Sequence, residues 1–164
     1  MNPILQSVIQ VLMGTVGSFG FSILYNIRGR KLILAGLGGL FSWSLCLILQ
    51  IWIESEVIRY FFSAAFVATY AEVLARVLKT PTTTFLVPAI IPHVPGASLY
   101  YTMKFALNKQ WYEFFSKAFD TVELALALAI GLIAVSSFVK VLFTVYYKLK
   151  SKKKKVCKSV LSLT

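Results

Sequence analysis

The stretch Pro81-Thr-Thr-Thr-Phe-Leu-Val-Pro-Ala-Ile-Ile-Pro-His-Val-Pro-Gly96 holds four of the chain's five prolines and its only histidine, among residues that are mostly apolar. A proline has no amide hydrogen to donate, and its ring clashes with the carbonyl four residues earlier, so each one inside a regular helix costs about 3 kcal/mol. In helical numbering Pro88, Pro92 and Pro95 free the carbonyls of Thr84, Pro88 and Ile91, and Gly96 adds a flexible joint. Three prolines this close, followed at once by glycine, predict a break and not a kink.

The surroundings of that stretch decide what kind of break it is. Of 164 residues, 58% are hydrophobic and 14% charged, and the mean hydropathy is +0.76. The apolar residues come in blocks, at 4–25, 32–53, 57–78, 83–107 and 118–143. Blocks of this length cross a hydrocarbon core about 30 Å thick at about 1.5 Å per residue. The chain is therefore expected to be all-α, a polytopic membrane protein with five transmembrane segments, the fourth a proline-interrupted helix. Residues 1–147 form the integral-membrane domain in this reading and 148–164 a basic cytoplasmic tail. The N-terminus has no positively charged n-region, so the first block is read as a retained span and not a signal peptide.

The formal charge of +11 does not point to nucleic acid, because the basic residues flank apolar blocks instead of alternating with aromatics on a polar face. They serve as topology signals. Arg28, Arg30, Lys31, Arg76, Lys79 and seven lysines from Lys148 to Lys158 fall on one side of a five-span arrangement, against Arg59, Lys104, Lys109 and Lys117 on the other. The expectation is a cell-membrane protein with its N-terminus outside and its C-terminus cytoplasmic. Lys140 is left near the end of the last span. The two cysteines, Cys46 and Cys157, form neither a disulfide framework nor a metal site, and no cofactor is implied.

Backbone freed at membrane depth is tolerated only where protein or a hydrated cavity covers it, and transporters use such breaks to bind ions or polar substrates. Thr84, Pro88, Pro92, His93, Pro95, Gly96, Ser98 and Tyr101 are accordingly the candidate substrate-pathway residues. His93 has two readings, a hydrogen-bonded structural imidazole or a relay on the substrate path; it has no partner of metal-binding spacing. In the preceding block Glu72 and Arg76 stand in the favourable i,i+4 order. A carboxylate at that depth must be paired, hydrated or protonated, so Glu72 is either half of a structural ion pair or a proton-coupling or substrate-facing group. Asp120 and Glu123 are secondary acidic candidates, which a helix N-terminus also explains. Gly14, Gly17 and Gly20, and the run Ala35, Gly36, Gly38, Gly39, Ser42, are expected to let helices approach closely.

The stretch from Thr80 to Met103, together with Tyr70-Ala-Glu-Val-Leu-Ala-Arg76 and the glycine-rich second span, resembles the threonine/serine exporter family, in particular its small, separately encoded subunit. The resemblance implies a larger integral-membrane subunit as partner, corresponding to the N-terminal half of fused members, with homo-oligomerisation as the alternative. It implies a small carboxylate-bearing metabolite as cargo: a hydroxy amino acid or, in one branch, a dicarboxylate. Pro88, Pro92, Pro95 and Gly96 would form the characteristic break, with Glu72 and Arg76 the charged pair of the neighbouring span; His93 departs from the family pattern, where an apolar residue is expected. The implied function is a two-component, proton-coupled secondary exporter, with a noncatalytic assembly or regulatory subunit of a larger transporter as the alternative. Neither a phosphate-cradling loop nor a nucleophile motif is present to suggest an enzyme.

Overall fold

The computed structural model describes the backbone of residues 3–161 and the side chains of residues 5–146. The side chains of the basic tail, Lys148 to Lys158, and Cys157 lie outside the described residues. The elements are α1 (Pro3–Leu24), α2 (Arg30–Trp52), α3 (Glu56–Val77), α4 (Thr83–Ile90), a single 3-10 turn (Ile91–His93), α5 (Gly96–Leu107) and α6 (Trp111–Leu161).

Each boundary has a local cause. After α1, Asn26 adopts φ 55°; its amide bonds the Ile23 carbonyl at 2.9 Å and the next amide, Ile27, reaches back to Ser22 at 3.0 Å. This is the Schellman closure, which satisfies the last carbonyls of a helix. Lys109 ends α5 in the same way, with φ 57°, its amide donating to the Ala106 carbonyl and the next amide, Gln110, to that of Phe105. Gly29 sits at φ 66° and ψ −143° immediately before α2, a conformation open to glycine and strained for other residues.

Among the described residues, four helices are long and apolar enough to cross a membrane: α1, α2, α3 and the stretch of α6 up to Tyr146. The expectation of five transmembrane segments, the fourth a proline-interrupted helix, is therefore corrected. Block 83–107 is not one helix with a fault in it but two separate short helices of 8 and 12 residues. At about 1.5 Å per residue they measure roughly 12 and 18 Å, well short of a bilayer core.

The prolines explain the separation. Pro88 is accommodated within α4, Pro92 lies in the 3-10 turn, and Val94 is extended at φ −62° and ψ 122°, as expected for a residue whose α conformation is disfavoured by the proline after it. Pro95 then caps α5. The Ile91 carbonyl, expected to be freed, accepts the Val94 amide at 3.1 Å. Ser98 lies inside the first turn of α5 and makes no capping bond, and Thr82 caps α4 by position without a side-chain hydrogen bond.

α1, α2 and α3 run up and down against one another: Gly39 of α2 faces Ser18 of α1, and Ser63 of α3 bonds Ser42 of α2. α3 and α6 run in the same direction, since Gly131 meets Phe61 while Lys140 meets Glu72. The chain between them must return from one end of the bundle to the other, and α4 and α5 make that return in two steps. α4 packs on α1, α2 and α3, whereas α5 packs on α6. α3 is central and presents buried Ala64, Val67, Ala68, Ala71 and Ala75. Phe85 of α4 fills the space beside Ala71 and Ala75 together with Ile27 and Ala35.

Gly131 shows how close the parallel helices come: a Cβ there would lie 2.8 Å from the Phe61 carbonyl oxygen, a backbone atom that cannot step aside. Gly131→Ala is expected to destabilise the protein by about 1–3 kcal/mol, seen as a lower melting temperature of the purified protein in detergent. Gly20→Ala, where a Cβ meets nothing within 4 Å, is expected to leave it unchanged or raised.

Candidate functional site

The 3-10 turn enters the middle of the bundle on a seat of small residues. Pro92 lies between Gly14 of α1 and Gly39 of α2: a Cβ on either glycine would come within 3.3 Å or 3.6 Å of the proline ring. Gly38 leaves room for Ala89 and Tyr70, and the Tyr70 hydroxyl donates to the Leu34 carbonyl at 2.7 Å. The glycines expected to bring helix to helix thus also admit the proline turn.

His93, next to Pro92, is fully buried. Its Nε2 lies 2.6 Å from Ser63 Oγ, Ser63 Oγ donates to the Ser42 carbonyl at 2.8 Å, and Ser42 Oγ donates to the Ala89 carbonyl at 3.0 Å and to Gly39 at 3.1 Å. A hydroxyl carries one proton. With the Ser63 proton on the Ser42 carbonyl, the imidazole N–H makes the 2.6 Å contact, and the network assigns the Nε2–H tautomer with its lone pair at Nδ1. The imidazole is also packed edge-on by Trp43 and Tyr60, at 5.4 and 5.7 Å between ring centroids. His93 Nδ1 and Trp43 Nε1 are buried and have no hydrogen-bond partner among the described residues.

A second group of polar residues lies nearer the other end of α3, nine residues or roughly 13 Å along the helix from Ser63. Glu72 is 3% exposed; its Oε2 accepts from Arg76 Nη2 at 3.1 Å, and its Oε1 lies 3.8 Å from Lys140 Nζ of α6. The Arg76 guanidinium stacks 4.0 Å over the Phe143 ring. The pair expected from sequence is present, but it is a triad: Lys140 reaches Glu72 only because α6 runs parallel to α3. Removing one partner of a buried pair is costly, about 3–5 kcal/mol, since it strands the other charge.

The remaining candidates are scattered. Thr84 is half-buried on α4 and Pro88 is buried, while Gly96 and Tyr101 are exposed and Tyr101 packs on Tyr100 and Phe105. The Ser98 carbonyl accepts from Thr102, whose hydroxyl lies 3.5 Å from that of Thr121. Asp120 is exposed and paired with Lys117 at 2.9 Å. Glu123 lines an open apolar groove of about 370 Å³ with Val57, Phe61 and Ile130. The structure brings Pro92 and His93 together, and Glu72 with Arg76, but not these two groups with each other or with Ser98, Tyr101, Asp120 or Glu123. Ser42, Ser63, Trp43, Tyr60 and Lys140 were not among the sequence candidates. Of these, Lys140 carried a signal, a lone lysine inside an apolar block, and Ser42 was expected only as a small residue at a close helix approach. Cys46 is buried and unpaired, and among the described residues no three of His, Cys, Asp and Glu gather where a metal could be held.

Ser63→Ala removes the acceptor of the imidazole N–H and leaves it buried and unbonded, an expected cost of about 1–3 kcal/mol. In a His93→Leu background the same substitution should cost less, with a coupling energy of about 0.5–3 kcal/mol in a thermal or denaturant double-mutant cycle. Simple additivity would show that the two side chains do not share this bond.

Comparison with known proteins gives the setting for these two clusters. No curated protein and no solved structure matches the chain. The family described as Threonine/Serine exporter, ThrE, matches residues 10–138, a span that includes the whole of α2 to α5, the Pro92–His93 turn, and Glu72 with Arg76. The chain is a multi-pass membrane protein and belongs to the threonine/serine exporter family.

Proposed function

We propose that this chain is one subunit of a two-component secondary exporter that moves threonine, serine or another small carboxylate-bearing metabolite out of the cell, driven by a proton gradient. Family membership supports the cargo class. The observation that carries the coupling is Glu72, a carboxylate 3% exposed between Arg76 and Lys140, because an ionisable group buried at membrane depth marks an ion or substrate route more often than it adds stability. The second component is a larger integral-membrane subunit, as in the split members that the chain resembles. Pro92 and His93, seated in mid-bundle where the chain leaves regular helix, are the next candidates for the route.

The orientation of the chain follows the same logic. With α3 parallel to α6, the α1–α2 loop bearing Arg28, Arg30 and Lys31, the end of α3 bearing Arg76 and Lys79, and the side toward which α6 runs all lie at one end of the bundle. An excess of Lys and Arg faces the cytoplasm, which supports an N-terminus outside and a basic C-terminal tail inside.

The test is flux of radiolabelled threonine, serine and succinate in proteoliposomes under an imposed pH gradient, with this chain alone and with its larger partner. Gradient-dependent flux is expected with both chains together. Glu72→Gln is expected to lower stability, because it strands Arg76, and, in the complex that does assemble, to lower efflux per complex at least about tenfold or to flatten its pH dependence; Pro92→Ala is expected to lower efflux with assembly intact. If substitution lowers only the amount of partner, with unchanged transport per assembled complex, the chain is an assembly subunit and the proposal fails.

A further inference from the structure

Glu72 is held firmly on one side only. Oε2 takes the Arg76 hydrogen bond at 3.1 Å, whereas Oε1, also buried, has no hydrogen-bond donor among the described residues and meets the Lys140 ammonium at 3.8 Å, an ion-pair distance beyond hydrogen-bond reach. The Arg76 Nε–H is buried and has no hydrogen-bond partner among the described residues, and the guanidinium carbon lies 4.0 Å over the Phe143 ring. The three side chains differ in how tightly they are placed: Glu72 is 3% exposed, Arg76 28% and Lys140 63%. Lys140 is the most exposed of the three, and its ammonium sits on the long flexible stem of a lysine.

A buried acceptor with a loosely seated primary ammonium beside it, next to a buried and unused N–H donor, is complementary to a small molecule that carries both a primary ammonium and a carboxylate. We propose that Glu72, Arg76 and Lys140 form a head-group clamp for a zwitterionic α-amino acid. The ligand's ammonium takes the place of the Lys140 ammonium on Glu72 Oε1. Its carboxylate takes Arg76 Nε–H and the displaced Lys140 Nζ.

The clamp rests on the exporter reading and narrows it. A zwitterion gives Glu72 Oε1 a donor and Arg76 Nε–H an acceptor, so the two buried groups without a partner are satisfied at once. A dicarboxylate has nothing for Oε1 and sets its own charge against a buried carboxylate, so the site favours amino acids over dicarboxylates. The selectivity comes from buried polar groups that an incomplete ligand leaves unpaired, which is the most discriminating form of recognition. A phosphatidylethanolamine head group carries the same two charges, and the lipid composition of the assay separates the two sources.

The full chain, alone and copurified with its larger partner, is placed in nanodiscs of phosphatidylcholine and phosphatidylglycerol, neither of which has a primary amine. Calorimetric titration compares L-threonine with 3-hydroxybutyrate, which lacks the ammonium, with threoninol, which lacks the carboxylate, and with succinate. Threonine is expected to bind at least about tenfold more tightly than each of the others. Glu72→Gln is expected to abolish the preference for threonine over 3-hydroxybutyrate, and Lys140→Gln the preference for threonine over threoninol, two losses that a merely structural ion pair would not divide in this way. If Glu72→Gln does not fold, Lys140→Gln decides by itself. Threonine binding with both preferences intact in the variants overturns the clamp and leaves the exporter reading standing. Binding and flux of no amino acid by the wild type overturn both. Glu72-dependent binding of phosphatidylethanolamine, in place of the free amino acid, overturns the assignment to a soluble ligand.

Discussion

The middle of this bundle is organised around the backbone carbonyl of Ala89. A regular helix would cover it with the amide of residue 93; here the chain has tightened into a 3-10 turn, and a serine hydroxyl from α2 makes the bond instead. Inside a bilayer no water is at hand to do so, and an uncovered carbonyl costs several kcal/mol. Ser42 must therefore stand where it does, Ser63 must reach the Ser42 backbone, and His93 must cap Ser63. The turn, α2 and α3 are locked by bonds of which each satisfies one atom.

Close approach is the precondition for that lock. Hydroxyl groups on short stems can bridge helices only if the backbones are near, and in lipid nearness is achieved by removing side chains, not by hydrophobic drive. The glycines of α1 and α2 and the alanines of α3 supply it. The same economy reappears between α3 and α6, where Gly131 lies on Phe61 and brings two long helices together in parallel, so that charges far apart in sequence share one seam.

The sequence makes much of this legible because membrane helices are long apolar blocks ended by caps: α1, α2 and α3 begin and end within two residues of the expected limits. The i,i+4 geometry of Glu72 and Arg76 was readable for the same reason, being fixed within one helix. The count of five spans failed at 83–107, where block length and hydropathy are those of a single span but Val94, held extended by Pro95, divides it into helices with different packing partners. Ser63, and the partner of Lys140, were illegible for another reason. Their roles come from neighbours on other helices, and periodicity reports which face a residue occupies, not what that face meets. The Ile91 carbonyl misled because a 3-10 bond reclaims it.

The division of labour between α4 and α5 bears on how the protein is made. A segment of eight residues cannot enter lipid unaided, because its length leaves too many peptide groups near an interface it cannot clear. It needs a cleft already in place, and α1 to α3, which emerge first from the ribosome, form that cleft. α5 is joined by a tight turn to α6, emerges later and settles with it as a hairpin. Two packing units, α1 to α4 and α5 with α6, are thus joined at Val94 to Gly96 and meet along the seam between α3 and α6.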